Sequence, residues 1–573
     1  MKYYLKNPDA NINPFNIGEI TNILFNNREI TDINKYVAPT KDDLLNPFDL
    51  ENMQQGINLL IKHIENNSKI FIIVDSDVDG YTSASILYNY IMYLYDDCDI
   101  EWMVHEQRSH GINLDLIPKD TKLVICPDSS SNEFDKHQTL KEQDIDVLVI
   151  DHHEATHLSE HAVVINNQLS PNYANKTLSG AGIVYKFCQG LDQVLKQERA
   201  DYYLDLVALG IIADMSDVRP LENRYIIDQG LTNINNRFMQ ELINKQDYSL
   251  GSLPLNTIGV MFYLAPIINA VTRVGTLSER SIMFEGFIYG DLAVKSTKRG
   301  AAEKDLETIA EQAVRVAMNC KNKQKKLVDE VKQQIQDDLA TQNLDDIPLI
   351  LVSFDSIQNK NLTGLIANQL AAEYKRPVLF LVKRGDVLSG SGRNYGFHEV
   401  DNLKECLQNS NLVDFAEGHQ SAFGVQIQEG KVEEFLDNIN DFMPTSGVIE
   451  DQYIVDFIFD AELLTASAIQ KITQLRKLWG KGFDEPLIVV EDIPVNQHNF
   501  TLMGQKSAHM KILHNNVSFI KFWIKEDDRK NFKDLPVLVT VVGRADINLW
   551  NNQINYQVII QDYEIKPDNS YGF

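Results

Sequence analysis

Four short apolar runs in the first third of the chain constrain its fold most: KIFIIV (69–74), KLVICPD (122–128), DVLVIDHHE (146–154) and AVVINN (162–167). They are continuous, not alternating, so both faces of each strand are expected to be buried. Helical segments lie between them, such as YTSASILYNYIMYLY (81–95), which opens on Thr and Ser. Buried strands alternating with helices predict a doubly wound parallel sheet, an α/β domain. Ligands of such sheets gather at the carboxyl ends of the strands. Three of the four runs end there on a carboxylate: Asp75, Asp128 and Asp151.

The first of these ends is the most charged. FIIVDSDVDGYTS sets Asp75, Asp77 and Asp79 one residue apart. Like charges at ~4 Å repel by roughly 1 kcal/mol even in water, and a bound cation would offset that cost. DSDVDG matches the first half of an EF-hand loop, but Ile86 stands where the twelfth-position Glu belongs, and the segment follows a strand. Acids at a helix start are favoured by the helix dipole, yet one would serve and three overshoot. VIDHHE adds His152 and His153 at another strand end, and ALGIIADMSDVRPLENR supplies Asp214 after a helical run. Asp77, Asp79, Asp128, His152 and Asp214 together would give four carboxylates and one imidazole. Oxygen-rich sets with one nitrogen suit Mn²⁺ or Mg²⁺ better than zinc. So many carboxylates suit two ions, which at ~3.5–4 Å form the clamp for in-line displacement at phosphorus.

At 573 residues the chain is expected to divide into three or four domains. Residues 1–285 read as an N-terminal arm plus the parallel-sheet domain, and 286–345, with a long amphipathic periodicity free of Pro, as one or two connecting helices. Residues 346–445 restart a smaller β/α pattern, and 446–573 are rich in short strands, which suggests a small barrel. Five scattered cysteines form no C-x-x-C pair. The start MKYYLKNPDANINPF has no apolar signal core, and no run of about 18 apolar residues is found. A soluble, reducing, cytoplasmic setting without a membrane is expected. The net charge of −28 argues against a protein that coats nucleic acid, but not against an enzyme with a local basic track.

DSDVDG, the aspartate of CPDSS, DHH and GIIADMSD occur in the order and spacing of the DHH phosphoesterase superfamily. The rest of the chain resembles one branch of it, the RecJ single-stranded-DNA exonucleases. LSGAGIVYK (178–186), APIINAVTRVG (265–275), LTGLIANQLAAEYKRPVLFL, SGSGRN (389–394) and EGHQSAFGVQI (417–427) carry that resemblance. LWGKGFDEP and GQKSAHMKI are similar to the family's carboxyl-terminal OB-fold region. The resemblance covers roughly residues 65–565. It implies a DHH domain, a long connecting helix, a smaller α/β DHH-associated domain and a β-rich OB-like domain. It also implies Asp77, Asp79, Asp128, His152 and Asp214 as metal ligands, with Asp75 and Asp151 as ligands or as partners that orient them. His153, together with Asp151, takes the catalytic, substrate-facing place. Ser391, Arg393 and His419 match substrate-binding motifs, and Arg108 and Arg273 join them. Departures are Thr272 for a frequent Gly, Glu417 in place of one of two glycines before His419, and Asn394 for Ser.

The reading that follows is a two-metal exonuclease, with Mn²⁺ or Mg²⁺, that removes mononucleotides from the 5′ end of single-stranded DNA in repair, recombination or replication. The resemblance supplies the direction and the choice of DNA; the carboxylate set supplies hydrolysis at phosphorus. A single-stranded-DNA-binding protein or a helicase is the kind of protein partner it implies. FIKFWIK (519–525) interleaves aromatics and lysines as a strand-holding surface would, and equally as a barrel strand would. Two alternatives remain at this point. One is a phosphodiesterase for short oligonucleotides or cyclic dinucleotides, against which the residues after 446 count. The other is a catalytically silent replication scaffold, against which the full set of motif carboxylates counts.

Overall fold

The apolar runs become the centre of a five-stranded parallel sheet in the computed structural model, which describes residues 1–573 except 9–16, 107–108, 252–253, 341–346, 356–359, 397–399, 401, 444–450, 525–528, 531, 533–534, 551–552 and 568–573. The strand order is Ile100–Val104, Lys69–Val74, Thr121–Pro127, Asp146–Asp151, Val163–Asn166. Ile70 to Val74 and Val147 to Ile150 are fully buried, as continuous apolar strands covered on both faces must be. The fifth strand, Ile100–Val104, was not among the expected runs. It lies at the sheet edge, and of its residues Ile-Glu-Trp-Met-Val only Met103 and Val104 are buried. From Lys69–Val74 the chain winds to one side, to Ile100–Val104, and then crosses to the other, to Thr121–Pro127. The crevice between Lys69–Val74 and Thr121–Pro127 is therefore the point where strand order reverses.

Two compact units are present: Tyr3–Met318 with Tyr453–Phe573, and Met1–Lys2 with Asn319–Gln452. In the larger unit the parallel-sheet domain is joined by a seven-stranded sheet in the order Phe457–Asp460, Leu487–Val495, Val537–Trp550, Gln553–Pro567, Val517–Lys521, His509–His514, Phe500–Met503. The stretch expected as connecting helices holds a hairpin, Ala293–Lys295 with Leu306–Thr308, and then one helix of 32 residues, Ile309–Ala340. The smaller unit carries a five-stranded sheet in the order Phe415–His419, Ala422–Gln428, Val387–Arg393, Val378–Arg384, Ile350–Phe354. Ala422–Gln428 alternates half-buried and buried residues, and its inner face packs with Leu379, Leu381, Leu388 and Leu407. None of the five cysteines, all among the described residues, is in a disulfide.

Among the described residues one helical stretch, Thr257–Val274, is long and apolar enough to cross a membrane, but 61% of it is buried inside the protein. No unbroken apolar run marks it in the sequence, because Asn269, Thr272 and Arg273 interrupt it. Val260, Leu264, Ile267, Ile268 and Val271 are its core-facing residues.

Asp205 is a buried acid away from the acidic strand ends. It accepts the backbone N–H groups of Asn235 (2.8 Å) and Asn236 (2.6 Å), which fixes that loop. Burial outweighs these bonds and pushes its carboxyl from 3.8 up to about 6. A raised folded value means that its contribution is complete below about pH 4 and is lost as pH rises through the folded value. Asp205→Asn is expected to flatten the fall of melting temperature over that window. A slope identical to wild type would refute the assignment.

Candidate metal centre

The reversal point of the sheet collects the acids. Asp75 follows strand Lys69–Val74, Asp128 follows Thr121–Pro127, and Asp151 ends its own strand, with His152 and His153 after it. Asp77 caps helix Val78–Leu94 by accepting the Gly80 N–H at 3.0 Å, and Asp79 lies in that helix's first turn. Asp214 comes from a separate direction, as the cap residue of helix Leu204–Ala213. Among the described residues, three overlapping groups have ligand atoms within 4.8 Å of one another: Asp75–Asp77–Asp128, Asp79–His152–Asp214 and Asp128–His152–His153. The five residues expected as ligands are thus brought together with Asp75 and with the expected His153.

Glycines make the room. A Cβ at Gly180 would fall 2.2 Å from Asp128 Oδ1, and one at Gly210 would fall 2.3 Å from Asp79 Oδ1. Asp79 receives the N–H groups of Gly180 (2.7 Å) and Ala181 (3.1 Å) and the Ser179 hydroxyl (3.0 Å) at the start of helix Gly180–Leu195. Even so, burial first and then the Asp214 and Asp77 charges push its carboxyl up to about 8. Asp128 is raised well above the carboxylate range by burial and then by Asp79, Asp77 and Asp75. Its backbone is left-handed at φ 65, a conformation that Asp tolerates. Its Oδ1 is buried and accepts no hydrogen bond. Burial lowers His152, which keeps its imidazole neutral; its Nε2 lies 3.2 Å from that same Oδ1.

Asp75 and Asp151 are engaged by the protein. Asp75 accepts His110 Nδ1 at 2.6 Å and the Gly111 N–H at 3.3 Å, and burial raises it against the pull of His110. Asp151 accepts the N–H groups of His152 (2.7 Å), His153 (3.2 Å) and Ser131 (3.1 Å) and the His153 ring at 2.8 Å. Burial would raise Asp151, but His153 and these bonds hold it below the usual carboxylate range. His153 in turn is raised to about 9, chiefly by its bond to Asp151, and its side chain is 56% exposed. A cationic, outward-facing imidazole therefore stands beside a buried carboxylate cluster. His110 escaped the sequence reading because it follows the edge strand that was also missed, and RSHG carries no signal of its own.

The expected substrate residues divide. Arg108 lies outside the described residues. Arg273 is half-buried in the last turn of helix Ala265–Val274, in the unit that holds the acids. Ser391, Arg393 and His419 belong to the smaller unit. Ser391 and Arg393 share one face of strand Val387–Arg393, being two apart. Arg393 and His419 flank the same residue, Ala422, from the two neighbouring strands. Thr363 Oγ1 lies 2.9 Å from Ser391 Oγ at the start of helix Thr363–Tyr374, and Gly364 leaves space where a Cβ would meet Arg393 Nη2 at 2.6 Å.

The family models for the DHH family, N-terminal domain, and for the RecJ OB domain match residues 69–211 and 455–562. YorK of the SPbeta prophage of Bacillus subtilis, provisionally named a single-strand DNA-specific exonuclease, is 36% identical over 564 residues, which is 96% of this chain and 97% of YorK. The chain belongs to the RecJ-like single-strand-DNA-specific exonucleases of the DHH superfamily. Within this RecJ-like family, the RecJ exonuclease of B. subtilis is 25% identical over 547 residues, 91% of this chain and 65% of that protein. The crystal structure of Thermus thermophilus RecJ in complex with Mn²⁺ shares the fold, with a TM-score of 0.75 at 18% identity over 99% of this chain and 79% of that one. The RecJ-like OB match confirms the expected barrel type for the strand-rich end, and the DHH match falls on the parallel sheet.

Proposed function

We propose that this protein hydrolyses single-stranded DNA from its 5′ end, using two Mn²⁺ or Mg²⁺ ions held by Asp77, Asp79, Asp128, His152 and Asp214. One observation carries the reading: a buried carboxylate oxygen, Asp128 Oδ1, without a hydrogen bond, inside a cluster of acids at the reversal point of the sheet. Buried acceptors without a partner are rare in proteins, and a cation is what this one fits. Two of the groups, Asp75–Asp77–Asp128 and Asp79–His152–Asp214, share no residue, which supports two ions. Ions bound there would polarise a phosphoryl oxygen and offset charge developing at phosphorus. We assign the contact with the scissile phosphate to His153, and its bond to Asp151 and its outward exposure support that role. Asp75 holds the 110–111 loop as well as facing the cluster. The names of the relatives support DNA as substrate. The test is an assay of 5′- and 3′-labelled single-stranded DNA and RNA with Mn²⁺ and with chelator. Full activity in chelator, or release of mononucleotides from the 3′ end, would sink the reading.

The β-rich segment offers places for bases. In FIKFWIK, Phe519 is core, whereas Phe522 is 48% and Trp523 78% exposed, both packed on His509. Lys525 lies outside the described residues. A cleft of about 730 Å³ is walled by Tyr248, Tyr263, Arg476, Trp479, Arg544 and Leu549. Its arginines pair with Asp546 and Glu485, so it favours bases over phosphates. Stacking on one aromatic is worth about 1–3 kcal/mol per base. Trp523→Ala is expected to weaken binding of long single strands by about 5–150-fold and to leave the cleavage rate of very short ones unchanged. Equal losses on both would exclude a stacking role.

A further inference from the structure

We infer that the N-terminal arm and the LWGKGFDEP stretch form a clasp on the turn that carries Asp214, which makes Tyr36 and Gly482 positioning residues for the metal centre. The inference rests on the proposed assignment of Asp214 to that centre.

Among the proposed ligands, Asp214 has the least local support. Asp77 and Asp79 start a helix on the sheet, and Asp128 and His152 follow central strands. Asp214 stands where helix Leu204–Ala213 ends, followed by left-handed Met215 at φ 62, and its side chain is 33% exposed. The turn continues through Ser216, whose hydroxyl donates to Asp214 Oδ2 at 2.9 Å, to Val218, which is 1% exposed. Buried backbone groups must be paired. The Val218 N–H donates to the Lys481 carbonyl at 2.9 Å, and the Val218 carbonyl accepts the Tyr36 hydroxyl at 3.1 Å. Both partners come from outside the 69–211 DHH match, one from the arm and one from the β-rich segment.

The stretch LWGKGFDEP is built for this approach. A Cβ at Gly480 would fall 2.7 Å from Val218 Cγ1. Gly482 has φ +85, and a Cβ there would fall 2.2 Å from Asp217 Oδ1 and 2.9 Å from Arg219 Nε. Any side chain at 482 is therefore doubly penalised, by conformation and by contact. Phe483 is fully buried; it stacks on Tyr36 (5.5 Å, 12°) and meets Phe25 edge-on at 5.2 Å. Arg28 covers the Phe483 ring at 5.0 Å, pairs with Asp456 at 2.7 Å and donates to the Asp484 carbonyl at 2.6 Å. Arm and β-rich segment are thus locked to each other, and the lock grips both backbone groups of one residue four positions after Asp214. Part of the β-rich segment, beyond any role in holding a strand, thus braces the turn that carries Asp214.

The test uses the full chain with Tyr36→Phe, Gly482→Ala and Asp214→Ala. Mn²⁺ binding is measured by calorimetry without DNA, beside melting temperature, kcat and KM on single-stranded DNA. Tyr36→Phe keeps the ring stack and removes only the hydroxyl, so it folds. It is expected to weaken Mn²⁺ binding and lower kcat by about 3–10-fold, with KM unchanged, because a buried carbonyl left unpaired costs enough to shift the turn. Gly482→Ala is expected to lose about 10–100-fold in kcat, since displacements near 1 Å act on that scale. Wild-type Mn²⁺ affinity and kcat in Tyr36→Phe, with or without a lower melting temperature, would overturn the clasp as a positioning device. If Asp214→Ala itself binds Mn²⁺ like wild type, the ligand assignment fails, and the inference with it.

Discussion

Asp128→Asn is expected to abolish nuclease activity and yet to stabilise the chelator-treated protein. The two effects have one cause. Asp128 is 1% exposed, and burial and then the charges of Asp79, Asp77 and Asp75 raise its carboxyl well above 3.8. A raised folded value gives stability that is complete below the unfolded value and lost as pH rises through the folded one. Chelated wild type should therefore lose melting temperature from acid toward neutral pH. Each like-charge pair at ~4 Å contributes roughly 1–4 kcal/mol to that loss, depending on the effective dielectric. Asparagine has nearly the same shape, tolerates the φ of 65 at this position and carries no charge. Near pH 8 the variant should melt above wild type in chelator. Mn²⁺ should reverse the order, because an ion that binds only the folded state at 100 times its Kd adds about 2.7 kcal/mol. The comparison is melting temperature for both proteins over pH 5–8, with chelator and with Mn²⁺, beside the nuclease assay. A variant less stable than wild type in chelator at pH 8, or one that still turns over, would remove Asp128 from the ligand set.

Arg393→Ala is expected to slow digestion of 5′-phosphorylated strands by about 10–150-fold at subsaturating substrate. That range is the rate equivalent of a charge-assisted contact worth roughly 1.5–3 kcal/mol. Arg393, Ser391 and His419 lie at one end of the smaller unit's sheet, with the start of helix Thr363–Tyr374 beside Ser391. Helix starts present free N–H groups and positive partial charge, and a guanidinium grips phosphate through two bonds. Gly364 leaves the space in which Arg393 Nη2 sits, and Nη1 donates to the Gly392 carbonyl at 2.6 Å, which fixes the fork. If this place holds the terminal phosphate, it sets the polarity of digestion. The variant should then nearly lose the preference for 5′-phosphate over 5′-hydroxyl strands and keep its Mn²⁺ affinity, since every proposed ligand lies in the larger unit. Oligonucleotides labelled at the 3′ end, with each 5′ group, separate the outcomes. A variant that retains the wild-type preference would place phosphate recognition elsewhere.

The sequence by itself determined the central strands and the address of the acids. KIFIIV, KLVICPD and DVLVIDHHE are continuous apolar runs, and a run buried on both faces has one place to go, the middle of a covered parallel sheet. Once those runs are strands, Asp75, Asp128 and Asp151 must lie side by side at their carboxyl ends. Ile100–Val104 stayed hidden because an edge strand with Glu101 carries only a short mixed pattern. Tertiary structure alone decided how the acids differ. Asp75 and Asp128 occupy equivalent strand ends, yet His110, 35 residues away, bonds Asp75, while Gly180 clears space beside an Asp128 oxygen that accepts no hydrogen bond. It also decided that Tyr36, Val218 and Lys481 meet, across gaps of 182 and 263 positions in the chain. Periodicity records which face of a segment is buried. It does not record which distant backbone group will complete a hydrogen bond, because that depends on the docking of whole segments and leaves no local pattern for a sequence to carry.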